Sequence, residues 1–147
     1  MPGGKTIYIG LQNTRQMKKI ILDTNFLMIP LQFRVDIFSE LERICHFNYK
    51  LCIFEQSVDE LNNIMEKQKG KSRNAAQFAL KLIRLKNIGV LKAEGKSVDN
   101  IILKNAGKDT VIATQDRLLK KKLLEKGVSV IILRQKKYLQ LIEKLYK

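Results

Sequence analysis

The stretch Lys19-Ile20-Ile21-Leu22-Asp23-Thr24-Asn25-Phe26-Leu27-Met28-Ile29-Pro30 sets an acid, a hydroxyl and an amide between two apolar runs. The first run has the length and β-branched character of a short buried strand, and it ends abruptly on Asp23. A carboxylate at the end of a buried strand is costly unless other charge balances it. The residues just after this strand, and after any strand like it, therefore decide how the chain is read.

The same rhythm repeats outward from there. Strands are predicted through Lys19–Leu22, Lys50–Phe54, Gly89–Lys92, Thr110–Ala113 and Val128–Leu133. Segments with helical spacing lie near Val35–Phe47, Val58–Lys67, Arg73–Leu85, Val98–Ala106 and Asp116–Lys126, and a last helix is expected after Tyr138. In the segment after Asp116, Leu118, Leu119, Leu123 and Leu124 form an apolar face while Lys120, Lys121 and Lys122 point mostly elsewhere. Alternating strands and helices imply an α/β fold, a parallel sheet wrapped by helices.

The chain has 147 residues, the size of one domain, and no internal repeat, low-complexity tract or long linker divides it. Residues 1–16 contain the apolar stretch Thr6-Ile7-Tyr8-Ile9-Gly10 and are expected to be an edge strand or loose tail ahead of a domain spanning 17–147. A chain starting at Met17 is expected to fold. No run of eighteen apolar residues occurs, and the first residues lack the apolar core of a signal peptide, so a cytoplasmic protein without membrane association is expected.

Each of the first four predicted strands leads to an acid. Asp23 ends the first; Ser57-Val58-Asp59-Glu60 comes after the second, Ser97-Val98-Asp99 after the third and Thr114-Gln115-Asp116 after the fourth. Singly, three of these have a local explanation: Ser57 with Glu60 spells a capping box, and Ser97, Asp99 and Asp116 suit helix N-termini. Independent caps have no reason to recur on one rim of a parallel sheet, where ligands bind. Four carboxylates brought close repel one another unless a cation joins them, and hard oxygen ligands suit Mg²⁺ or Mn²⁺.

Other chemistries find little support. The single His46 stands beside Cys45 at a helix end, Cys45 and Cys52 read as small apolar residues, and Gly107-Lys108 is too little for a phosphate loop. A response-regulator-like phospho-acceptor would want an acidic pair before the first helix, which Asp23-Thr24-Asn25 does not supply. Metal-activated water attacking a phosphodiester is the chemistry left. The 28 Lys and Arg against 14 Asp and Glu, a formal charge of +14, fit a polyanionic partner. Lys69, Lys71 and Arg73, with Lys120 and Lys121, are the candidate residues for binding such a partner, contacting phosphates rather than bases.

Ile21-Leu22-Asp23-Thr24-Asn25-Phe26-Leu27, Glu60, Ser97-Val98-Asp99 and Ala113-Thr114-Gln115-Asp116 together resemble the PIN-domain nucleases over roughly Lys18 to Tyr138. Gln32–Phe38, the Asp-Arg-Leu-Leu-Lys-Lys-Lys-Leu run from Asp116, and Leu133-Arg134-Gln135 with Tyr138-Leu139 resemble its archaeal and eukaryotic ribosome-assembly branch, related to the VapC-type toxins. The resemblance implies a three-layer α/β/α fold whose five-stranded parallel sheet has strand order 3-2-1-4-5. It implies an endoribonuclease in which Asp23, Glu60, Asp99 and Asp116 are the catalytic, metal-binding set for Mg²⁺ or Mn²⁺, with Asn25 and Thr114 holding those acids. rRNA processing is the role it favours; a toxin RNase, or an RNA-binding assembly factor that cuts weakly, is the alternative. A homodimer and an antitoxin or ribosome-assembly partner are the implied protein contacts.

Overall fold

Strand β1 (Lys18–Leu22) lies at the centre of the molecule, paired in parallel with β2 (Tyr49–Phe54) on one side and β4 (Thr110–Ala113) on the other. The computed structural model describes residues 17–143, so the expectations for residues 1–16 lie outside the described residues. Beyond β2 comes β3 (Gly89–Leu91) and beyond β4 comes β5 (Ser129–Arg134), giving the order β3-β2-β1-β4-β5 with all of these pairs parallel. A sixth strand, β6 (Tyr138–Ile142), adds to β5 in antiparallel fashion.

That strand replaces the helix expected after Tyr138. Its side chains alternate, Tyr138 and Gln140 exposed and Leu139 buried, which is period two rather than the helical 3.6. A three-residue turn, Gln135 to Lys137, sends the chain straight back along β5, with the Lys137 amide donating to the Arg134 carbonyl at 2.9 Å. Basic, β-poor residues in that turn hide the hairpin, since neither Gly nor Asn marks it.

Six helices cover the sheet: α1 (Ile29–Phe33), α2 (Ile37–Ile44), α3 (Glu55–Lys67), α4 (Lys71–Leu85), α5 (Val98–Asn105) and α6 (Arg117–Glu125). The apolar run after Asn25 forms a 3₁₀ turn at Phe26–Met28 and then α1, with Pro30 in its first turn, where a missing N–H leaves no bond unmade. Alternation along β1 divides the interior. Ile20 and Leu22 join Phe26, Leu27, Ile29 and Leu61 on one face, and Ile21 joins Ile101, Ile102, Leu119 and Leu123 on the other. Because both faces are covered, the strands are apolar runs rather than alternating ones. The result is a three-layer α/β/α sandwich.

Helix α3 begins at Glu55, earlier than the predicted Val58, so Ser57 sits inside its first turn rather than capping it. The basic segment 67–73 is likewise mostly helix: only Gln68–Gly70 connects α3 to α4, where Ala75, Ala76 and Ala79 allow close packing. Cys45 and Cys52 are buried free thiols, and burial pushes both up, Cys45 to about 11, so neither is a ready nucleophile. His46 is exposed ahead of β2, at the sheet edge away from the strand ends.

Candidate metal and nuclease site

At the C-terminal edge of the sheet the strand order reverses between β1 and β4, and there the chain gathers its acids. Asp23 continues the β1–β4 ladder, its amide donating to the Ala113 carbonyl at 2.9 Å. Only 5% exposed, its carboxylate is gripped on both oxygens: Oδ1 accepts from the Thr24 amide at 2.8 Å and Oδ2 from the Thr114 hydroxyl at 2.7 Å. The Thr114 hydroxyl also accepts from the Asp116 amide at 3.0 Å, so one buried threonine ties two of the acids together.

Glu60 projects from the second turn of α3 and is held by the Thr24 hydroxyl, which also shares a hydrogen bond with the buried Ser57 hydroxyl at 2.8 Å. A hydroxyl has one proton, and a carboxylate oxygen accepts; the chain of bonds therefore runs from Ser57 to Thr24 to Glu60. Asp99 lies in the first turn of α5, just inside its N-cap Ser97. Asp116 caps α6, its Oδ1 accepting from the amides of Leu118 and Leu119 at 2.9 and 3.0 Å.

All four carboxylates line one cavity of about 510 Å³, with Thr24, Asn25, Asn63 and Ser97 among its walls. A larger cavity of about 750 Å³ between α3, α4 and the β3 edge is walled by residues such as Met65, Phe78 and Val90 and holds no acid. Volume and chemistry thus point to different places, and only the acid-lined cavity gathers groups that could react or bind metal. Asn25 lines it, but its hydrogen bonds run through its carbonyl, which accepts from the Gln115 amide at 2.9 Å.

The electrostatics reflect this crowding. Burial pushes the Asp23 carboxyl up from 3.8 to about 6 against the lowering effect of its bonds from Thr114 and Thr24, and the charges of Asp99 and Glu60 push it further. Asp99 is also raised, by burial first and then by Asp116 and Glu60, while Lys122 pulls it down. Among the described residues no three acids converge as a ready-made metal cage. An all-oxygen set around an open cavity nonetheless fits Mg²⁺ or Mn²⁺, hard ions that keep several waters and need few direct carboxylates, and a cation would offset the repulsion that adds to burial in raising Asp23 and Asp99.

Thr24 and Ser57 are supports that sequence reasoning leaves unassigned; Thr24 stands in plain view between Asp23 and Asn25, while Ser57 reads as a cap. A further anchor is Gln56, whose side-chain amide donates to the carbonyls of Ala93 (2.6 Å) and Gly95 (3.1 Å) and pins the loop leading to Asp99. Gly95 has φ +127, and a Cβ there would stand 2.9 Å from Ile101 Cγ1, so that loop needs glycine. The basic candidates separate. Lys120 lines a neighbouring cavity beside Asp116, and Lys121 is exposed on α6. Lys69 is exposed between α3 and α4, Lys71 borders another cavity with Phe33 and Arg34, and Arg73 donates to the Met65 carbonyl at 3.2 Å.

A central parallel sheet in this order, three layers and carboxylates at the switch point define a class of α/β protein with an acidic site at one sheet edge. Residues 20–136 match the PIN-like domain family, and the chain belongs to it. Similar proteins include "Ribonuclease VapC4" of Methanocaldococcus jannaschii, 29% identical over 127 residues that cover 85% of this chain and 97% of that protein. Another is "Ribonuclease VapC9" of Archaeoglobus fulgidus, 29% identical over 118 residues, 80% of this chain and 84% of that one. Among solved structures, that of the PIN domain endonuclease Utp24 shares the fold with a TM-score of 0.71 at 20% identity, covering 88% of this chain and 96% of that one. A domain of a functionally unknown protein from Methanocaldococcus jannaschii aligns with a TM-score of 0.54 at 17% identity, over 88% and 96%. Among the described residues no helix is long and apolar enough to cross a membrane.

Proposed function

We propose that the chain is a metal-dependent endoribonuclease in which Asp23, Glu60, Asp99 and Asp116 hold Mg²⁺ or Mn²⁺ and act on an RNA phosphodiester. The observation that carries this is Asp23: a carboxylate at the end of the central strand, fixed on both oxygens and raised first by its burial and then by the neighbouring acids, which no local structural need explains. When bound, the metal would supply an activated water and stabilise the leaving oxygen. The protein's own share is positioning. Thr114 and the Thr24 amide fix the Asp23 carboxylate, Thr24 and Ser57 fix Glu60, and the Gln56 amide fixes the approach to Asp99. Lys69, Lys71, Arg73, Lys120 and Lys121 would meet RNA phosphates, giving affinity that falls with salt.

The relatives bearing ribonuclease names support RNA as the substrate, and we assign the chain to RNA processing, rRNA being the favoured target. The VapC names of those relatives support a second reading, a toxin RNase with an antitoxin partner. Growth arrest on expression, relieved by Asp23→Asn, would select the second.

The direct test is cleavage of structured and single-stranded RNA with Mn²⁺, Mg²⁺ or EDTA. Cutting that requires metal and is abolished by Asp23→Asn and by Asp116→Asn is the expected result. Wild type and variants that bind RNA alike and never cut would make the acids structural and leave an RNA-binding assembly factor.

A further inference from the structure

Beside the acid-lined cavity, and sharing Asp116 with it, lies a second cavity of about 540 Å³. Three cations wall it: Arg117 and Lys120, one turn apart on α6, and Arg134, the last residue of β5. Gathering three like charges in one hollow is unfavourable unless an anion shares it. Asp116 is the single acid in its lining and already spends Oδ1 on capping α6. Among the described residues the ion pair found is Arg43–Glu40, elsewhere in the molecule, so the three cations are not consumed by carboxylates.

Arg134 is held at the mouth by an unusual turn. Gln135 and Lys136, in the three-residue turn, both adopt left-handed backbone, φ 52 and 56, a conformation that Asn or Gly normally supplies. Lys136 leans over the Phe33 ring, 5.9 Å from its centroid.

We propose that this cavity is a phosphate subsite that seats the RNA backbone phosphate next to the one lying at the carboxylates, a proposal that rests on the ribonuclease reading for the identity of its ligand. The two hollows meet at Asp116, so a nucleic-acid strand crossing the acids enters the cationic hollow at its next step. Arginine forks match phosphate oxygens two at a time, and the attraction offsets the repulsion a polyanion meets at uncompensated carboxylates. The subsite therefore binds without metal, whereas the chemistry next door requires it.

The experiment is fluorescence anisotropy of a short single-stranded RNA in EDTA over a salt series, comparing wild type, Arg117→Gln/Arg134→Gln and a charge-matched control, Lys50→Gln/Lys108→Gln, at the opposite edge of the sheet. Both cationic-site residues are exposed, so the fold should survive. Losing the contacts to this one phosphate should weaken binding about tenfold and flatten the log–log salt slope by about 0.7, while the control changes little. Equal losses in the two double variants, or no RNA binding by wild type, would overturn the subsite. Cleavage with Mn²⁺ separates the two proposals. A wild type that never cuts but binds RNA through Arg117 and Arg134 sinks the nuclease and supports the subsite; one that cuts, with the arginine variant binding as tightly, sinks the subsite alone.

Discussion

Asp23 and Asp116 stand on adjacent strands' ends and line the same cavity, yet they are held in opposite ways. Asp116 is satisfied locally: its carboxylate caps the helix that begins one residue later. Asp23 takes one bond from the neighbouring Thr24 amide but needs a second from across the fold, a hydroxyl 91 residues away, and remains buried with its charge opposed by two other acids. An acid that its own segment explains says little about function; an acid that only the tertiary structure can hold says a great deal. The Asp23 region is where charge costs stability, and the Asp116 region is where it contributes.

The strongest way to break this contrast is Asp23→Asn. Cleavage is expected to fall by at least on the order of 10²–10³-fold, as when a group stabilising the transition state is removed. Stability should move the other way. The folded chain holds the Asp23 proton up to about 6, whereas the unfolded chain releases it near 3.8. Between those values the folded state binds more protons, so wild-type stability declines as pH rises through that window. The asparagine variant lacks this loss. Urea unfolding in EDTA should show the variant gaining on wild type between pH 4 and 6, by about 3 kcal/mol at pH 7.5. A gap independent of pH would mean that Asp23 carries no buried-charge penalty.

At Asp116 the same comparison predicts a split between two substitutions. Asn can cap a helix as well as Asp, so Asp116→Asn should leave stability within about 0.5 kcal/mol of wild type while abolishing cleavage. Ala removes the cap as well and should cost about 1 kcal/mol more in thermal or urea unfolding. Should Asn cost as much as Ala, the two bonds to Leu118 and Leu119 would not be what Asp116 contributes to the fold.

Much of the fold is legible in the sequence because buried parallel strands announce themselves as apolar runs: β1, β2 and β4 fall within one residue of their predicted limits. The order of the strands comes from the family resemblance instead, since pairing depends on contacts far apart in sequence. The four acids are legible as a rim because each comes after a strand. Their supports are less so. Ser57 reads as a cap when the helix is started at Val58, and only the observed start at Glu55 turns its hydroxyl inward to Thr24. Arg134 is invisible in the sequence as a partner of Arg117, because the turn after β5 carries no glycine and the pattern predicts a helix where β6 returns. Residues of the described chain that act through local pattern are legible; those that act through long-range bonds are not.

The smallest expected effect tests the Glu60 corner, which lies between the two extremes: a helical acid held by a tertiary bond. Ser57→Ala removes the buried hydroxyl that shares a proton with Thr24, leaving the Thr24 oxygen short of one partner. The loss should be about 1 kcal/mol in urea unfolding, with cleavage reduced only a few-fold because Thr24 still reaches Glu60. A double-mutant cycle with Glu60→Gln decides whether the three groups act as one chain. Non-additivity of about 0.5 kcal/mol or more is expected for groups sharing a network. Additive losses would make Ser57 a packing residue and leave Glu60 held by Thr24 alone.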